Sequence, residues 1–300
     1  MKKTTKFKEL MLDKTILECP IAHDPLCAKI IEQTGFQVLS SGGLACDAIK
    51  MGIPDTGILT LTEMADCAGR IVDATDLPVL ADGDAGHGNV TNLIRTVQIF
   101  EKAGVAALMI EDQEEPTRCG HISGKRIVTP EEMAAKIKAA VETRKDPDFV
   151  IMARGDSIAV NGIDDAIARG KLYRKAGADI ILFDALESIE QMKRVATEID
   201  APSAVSMVPG GKTPNLSCDE LQKIGFNLVV YPTFCTCLIA KAVKTAMETI
   251  YKNRSLVGME DKVLGLEEYN ELVGLSKIRE KEEKYKAYGE KIAADFSGKR

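Results

Sequence analysis

PVLADGDAGHG, residues 78–88, runs from a short apolar stretch directly into a glycine-rich loop carrying two aspartates, and its reading decides the fold. An apolar run this short, bounded by proline and turn residues, is the pattern of a buried strand, and the polar loop opens at its C-terminal end. The same grammar recurs along the chain. TILEC (15–19), FQVLS (36–40), ALMIED (107–112), FVIMAR (149–154), IILFDA (180–185), SAVSMV (203–208) and LVVYP (228–232) bring the predicted strands to eight. Segments with helical spacing, such as LIRTVQIFEKAG and EEMAAKIKAAVETR, separate them, and several close on glycine as a helix stop. Strands alternating with helices pair in parallel, and eight such units predict an α/β chain folded as a (β/α)₈ TIM-type barrel. An open doubly wound sheet is disfavoured, because no GxGxxG follows the first strand and polar residues gather after many strands.

From about 255 to 300 the chain is charged and helical in pattern, which predicts a helical extension of a single domain spanning 1–300. Such a tail can cover the barrel or a neighbouring subunit. The chain has 300 residues, 45% of them hydrophobic, which is enough for a large core. Its net charge of -6, with basic residues dispersed, argues against nucleic acid as a partner. No apolar run approaches the roughly 20 residues of a membrane span, and MKKTTKFKELMLDK lacks an apolar leader segment, so the expected location is the cytoplasm. Most of the eight cysteines are then expected to be reduced, small core residues.

In a barrel of this kind function collects at the C-terminal strand ends. Strand 2 ends in Ser40-Ser41-Gly42-Gly43, which is either a tight turn or a set of backbone N–H groups facing an anion. Strand 3 delivers Asp82 and Asp84 at alternate positions, oxygen ligands suited to Mg²⁺ unless the loop is simply solvated. Strand 4 ends in Glu111-Asp112-Gln113. Strand 5 ends in Arg154-Gly155-Asp156, where Arg154 is a clamp for a substrate carboxylate, a partner in a structural ion pair with a neighbouring carboxylate, or both. Strands 6, 7 and 8 supply Asp184 with Glu187, Ser206, and Tyr231-Pro232-Thr233. Arg118-Cys119-Gly120-His121 places a thiol between an arginine and an imidazole, in a pattern that serves a nucleophile or a general acid. Beside metal-type carboxylates, proton donation is the better fit.

With these motifs, and with Gly52-Ile53-Pro54-Asp55, Gly210-Gly211-Lys212-Thr213-Pro214 and the tail pattern LEEYNELVG, the chain resembles the isocitrate lyase and phosphoenolpyruvate mutase superfamily, in particular its short-chain lyase branch. The resemblance runs from about residue 10 to about 290. It implies Mg²⁺, with Mn²⁺ as an alternative, held through Asp82, Asp84 and Glu111 and indirectly through Asp55. It also implies a homotetramer and a small di- or tricarboxylate substrate. Substrate contacts would come from Ser40, Ser41, Gly42, Gly43, Arg118, Gly120, Asp184, Ser206 and Pro232. Cys119, Arg154, His121 and Glu111 would take part in catalysis, with Cys119 as proton donor.

The mutase and phosphonopyruvate hydrolase branch lacks that cysteine, so Cys119 points to a carbon-carbon lyase. Thr117, Asp184, Ser206 and Val38 depart from relatives that carry lysine, glutamate, asparagine and tyrosine there, which shortens polar reach toward the distal part of the substrate. A compact substrate is therefore expected. 2,3-Dimethylmalate, giving pyruvate and propionate, comes first, 2-methylisocitrate second and oxaloacetate hydrolysis third. A phosphonate enzyme and a non-catalytic carboxylate-binding barrel are the readings from other classes.

Overall fold

The computed structural model describes residues 1–120, 122 and 124–297. All eight predicted strands are present: β1 (Leu17–Pro20), β2 (Leu39–Ser41), β3 (Val79–Asp82), β4 (Ala107–Glu111), β5 (Val150–Gly155), β6 (Ile180–Phe183), β7 (Ser203–Ser206) and β8 (Leu228–Tyr231). They form one parallel sheet in the order β1-β8-β7-β6-β5-β4-β3-β2. One parallel bridge, Ile21 to Ser40, spans the seam between β1 and β2, so the barrel is nearly closed.

The chain opens with a helix that the sequence reading lacked, α1 (Lys3–Met11), and continues with α2 (Pro25–Thr34) after β1. Helices α3 (Gly43–Met51) and α4 (Leu61–Ala74) follow β2, α5 (Val90–Lys102) follows β3 and α6 (Pro130–Thr143) follows β4. Then come α7 (Ile158–Asn161), α8 (Ile163–Ala176), α9 (Ile189–Glu198), α10 (Cys218–Ile224) and α11 (Phe234–Asn253), with α12 (Leu266–Leu272) and α13 (Leu275–Ser297) in the tail. Local chemistry sets several starts. Asp24 accepts from Cys27 N at 2.7 Å ahead of Pro25, and Thr60 with Glu63 forms a reciprocal cap on α4.

The core has two layers. Inside the barrel, Leu17, Val38, Leu80, Val150, Ile180 and Leu228 pack with Phe7 and Met11 of α1, which plugs the N-terminal end. Outside it, Leu93, Phe100, Ile110, Met133, Ile151, Tyr173 and Phe183 belong to the layer between strands and helices. The chain forms two compact units, 1–239, which contains the whole barrel, and 240–300, which is helical apart from its connections. Among the described residues no helix is long and apolar enough to cross a membrane.

Candidate active site

The C-terminal strand ends surround one cavity, and most of the residues singled out in the sequence line it. Ser40, Ser41, Gly42, Gly43, Asp55, Asp82, Cys119, Gly120, Arg154, Asp184, Ser206 and Pro232 all face it. Asp84 lines a second cavity with His87 and Glu115, and the buried Glu111 pairs with Arg154. Arg118 is exposed and Glu187 pairs with Lys212 at 3.2 Å, both away from the cavity. Val38 is buried in the barrel interior below it. His121 lies outside the described residues.

The two aspartates converge by a route that differs from strand alternation. Asp82 ends β3, but Asp84 sits beyond it with φ 46°, a left-handed conformation rarely taken by residues other than glycine. The turn is pinned where Glu111 N donates to Asp84 O at 2.9 Å and Asp84 N to Asp82 Oδ1 at 3.1 Å. Gly43 N donates to Asp82 Oδ2 at 3.1 Å. A Cβ on Gly43 would lie 3.3 Å from Asp84 Oδ1 and 3.4 Å from Asp82 Oδ2, so both carboxylates close on the bare glycine.

Arg154 is the one cation among the described residues that line this cavity. It meets Glu111 at 3.1 Å, Asp156 at 3.0 Å and Asp184 at 3.3 Å. Burial alone would lower its pKa, but Asp156, Glu111, Asp184 and Asp82 outweigh burial and hold it well above the ordinary value. The structural ion pair is therefore real, and the guanidinium still borders the cavity. One arginine does not balance the acids. Burial, then repulsion from Asp82 and Asp55, raises Asp84 well above the carboxylate range, while burial raises Glu111 strongly despite Arg154. Asp55 is pushed up to about 6 by burial and by Asp82. Such a surplus of buried negative charge is what a divalent cation relieves. Among the described residues no three histidine, cysteine or acidic side chains converge to hold an ion directly. Asp82 and Asp84 with water and substrate oxygens fit Mg²⁺, which keeps several waters, better than a closed protein cage.

Sequence reasoning missed Lys125, which organises the site together with Asp156. Lys125, buried, donates to Gly120 O and, at 2.8 Å, to Asp156 Oδ1. Asp156 stands two residues beyond Arg154, and that spacing at a strand end was the available signal. It also missed the apolar wall of Leu44, Leu182, Val208 and Val230. Of the eight cysteines, Cys19, Cys27 and Cys46 are buried in the core and the half-buried Cys67, Cys218 and Cys235 pack against it, while Cys119 borders the cavity and Cys237 is exposed. Hydrogen bonding from Cys46 and Cys27 brings Cys67 and Cys235 down to about 7. Neither Cys235 nor Cys237 lines the cavity.

With this geometry in place, comparison with known proteins is informative. The family described as phosphoenolpyruvate phosphomutase matches residues 7–251. The chain is 44% identical over 285 residues to 2,3-dimethylmalate lyase of Eubacterium barkeri, covering 95% of this chain and 99% of that protein. It is 42% identical over 257 residues to 2-methylisocitrate lyase of Halalkalibacterium halodurans, covering 85% of each. A solved phosphonopyruvate hydrolase in complex with oxalate and Mg²⁺ superposes with a TM-score of 0.86 at 27% identity, over 95% of this chain and 99% of that one.

Proposed function

The chain belongs to the phosphoenolpyruvate mutase/isocitrate lyase superfamily and is a carbon-carbon lyase, and on that premise we propose that it cleaves 2,3-dimethylmalate to pyruvate and propionate. The observation that carries this reading is that Cys119, Asp82 and Arg154 line one cavity. In the reaction the C2 hydroxyl passes its proton to a neighbouring carboxylate or water, the C2–C3 bond breaks, C2 becomes the carbonyl of pyruvate, C3 takes a proton from the Cys119 thiol, and the released proton returns through solvent to the thiolate. Arg154 and the Ser41–Gly43 backbone at the start of α3 hold carboxylate. Mg²⁺, held by Asp82 and Asp84 with support from Glu111 and Asp55, supplies Lewis-acid stabilisation of the negative charge that develops on oxygen. Asp184 and Ser206 bound the distal side, beside Leu182 and Val208.

A second reading, 2-methylisocitrate, is favoured by the 42% identical relative. Charge argues against it. Arg154 is the one cation among the described lining residues and already faces three carboxylates, so the third carboxylate of a tricarboxylate has no partner. The methyl group of a dimethylmalate instead meets the apolar wall. The resemblance also supports a cytoplasmic homotetramer in which a neighbouring subunit covers apolar side chains that α11 exposes, among them Leu238, Val243 and Met247.

The test is pyruvate release from each substrate with Mg²⁺ and with excess chelator. A kcat/KM for 2,3-dimethylmalate about tenfold or more above that for 2-methylisocitrate is expected, a difference of about 1.4 kcal/mol. The opposite preference selects the second reading, and full turnover in chelator removes the metal.

A further inference from the structure

Cys119 is gripped on both sides. On one side the buried amide of Gln113 donates to Arg118 O at 2.7 Å and accepts from Arg118 N at 3.1 Å. On the other, Lys125 Nζ donates to Gly120 O. The two contacts differ in kind. Gln113 makes a neutral clamp, whereas the Lys125 ammonium is buried, with a side chain 2% exposed, and an ion in that position requires a counter-charge. That counter-charge is Asp156, which is fully buried and also receives Arg154 Nε at 3.0 Å and Nη2 at 3.3 Å. Gly120 itself is pressed onto the same group: a Cβ there would fall 1.8 Å from Asp184 Oδ2 and 2.7 Å from Arg154 Nη2. The residue after the thiol thus has no room for a side chain.

We propose that Lys125 is a positioning residue for the lyase reaction, fixing the Cys119 thiol relative to the Arg154 carboxylate clamp through the path Gly120–Lys125–Asp156–Arg154. This rests on the reading of Cys119 as proton donor. Proton transfer to carbon depends steeply on placement, and a displacement of about 1 Å can cost about 10²-fold in rate. Lys125 touches neither the cavity nor a reacting atom, so its loss acts on kcat through the loop and leaves substrate binding by Arg154 and the Ser41–Gly43 backbone largely intact.

The experiment compares Lys125→Met, which keeps the length without the charge, with Lys125→Arg, which keeps the charge that Asp156 needs but moves its donors. In the methionine variant kcat falls about 10²-fold with KM within about threefold, and iodoacetamide alkylates Cys119, followed by peptide mass mapping, at a changed rate. The arginine variant falls between it and the parent, a partial rescue that a merely structural role does not give. If the methionine chain does not fold, the arginine variant decides by the same two readouts. Parental kcat and a parental alkylation rate in a folded variant overturn the proposal. Cys119→Ser separates the two failures. Turnover of the serine variant within about tenfold of the parent sinks the proton-donor reading, whereas the alkylation rate at Cys119 reports on Lys125 whatever the reaction proves to be.

Discussion

The two ends of this barrel are made by the same eight strands and have opposite chemistry. At the N-terminal end, Phe7 and Met11 of α1 close onto Leu17, Val150, Ile180 and Leu228, and the charged groups beside them, Lys8 with Asp148 and Arg144 with Asp179, are partly exposed, oppositely charged pairs. At the C-terminal end, Asp55, Asp82, Asp84, Glu111, Asp156 and Asp184 crowd around Arg154 and Lys125. Apolar burial stabilises the first end. The raised carboxyl groups mean that the second is held against its own electrostatics at neutral pH. The difference teaches that the strands are fixed from below so that an unfavourable arrangement can be kept above.

Removing a carboxylate from the upper end tests this most sharply. Asp84→Asn, which keeps a residue tolerant of the left-handed turn, is expected to lower kcat/KM about 10⁴-fold, equivalent to about 5 kcal/mol of barrier, while the metal-free Tm stays level or rises because like-charge repulsion is relieved. A metal-free Tm that drops by several degrees would make Asp84 a structural residue and erase the contrast.

The matching change below is Phe7→Ala. Phe7 is fully buried, and its truncation is expected to cost about 3–5 kcal/mol in denaturant unfolding, with kcat of the folded fraction within about twofold of the parent. Loss of kcat at full stability would show that α1 shapes the cavity and not the plug.

What the sequence revealed follows the same division. The strands were readable because each is a short apolar run between chain breakers, and Arg154 stood out because a charge directly after VIMA needs a partner. Asp82 and Asp184 followed from their places at strand ends, and Cys119 from the Arg118–His121 pattern of the loop after β4; all three line the cavity. The plug was not readable. KTTKFKELM is polar by composition, with Phe7 and Met11 one turn apart as its buried residues, and Lys3 reaches the carbonyls of Val72 and Thr75, about 70 residues away. Lys125 was hidden for a related reason. Its counter-charge is 31 residues on, and the buried Asp112–Arg169–Tyr173 group joins residues 57 and 61 apart, so no local spacing marks either. Asp84 does stand beside Asp82, but a left-handed turn, and not the pleat of a strand, aims it.

The smallest expected effect is the most specific to the upper end. Burial and the Asp82 charge push Asp55 up to about 6 from an ordinary 3.8, and burial holds Asp84 and Glu111 well above their ordinary values. For acids with raised folded pKa values, the fold binds more protons than the unfolded chain between the two values. Their contribution to stability is therefore present at low pH and is lost as pH rises through about 4 to 6 and beyond. Mg²⁺ needs the ionised carboxylates, so its stabilisation must grow over the same rise. At 100 times its dissociation constant a ligand adds about 2.7 kcal/mol, and one competing proton, a unit below a pKa of about 6, weakens apparent affinity about tenfold. The Tm gain from a fixed Mg²⁺ concentration is thus expected to be clearly larger at pH 8 than at pH 5, and absent at both in Asp84→Asn. Asp112, raised to about 6 chiefly by burial, has Tyr173 and Arg169 as its partners, so its share of the pH dependence should persist whether or not Mg²⁺ is added. An equal Mg²⁺ gain at both pH values would mean that the ion binds somewhere other than this carboxylate cluster, and the contrast between the two ends would then rest on Arg154 alone.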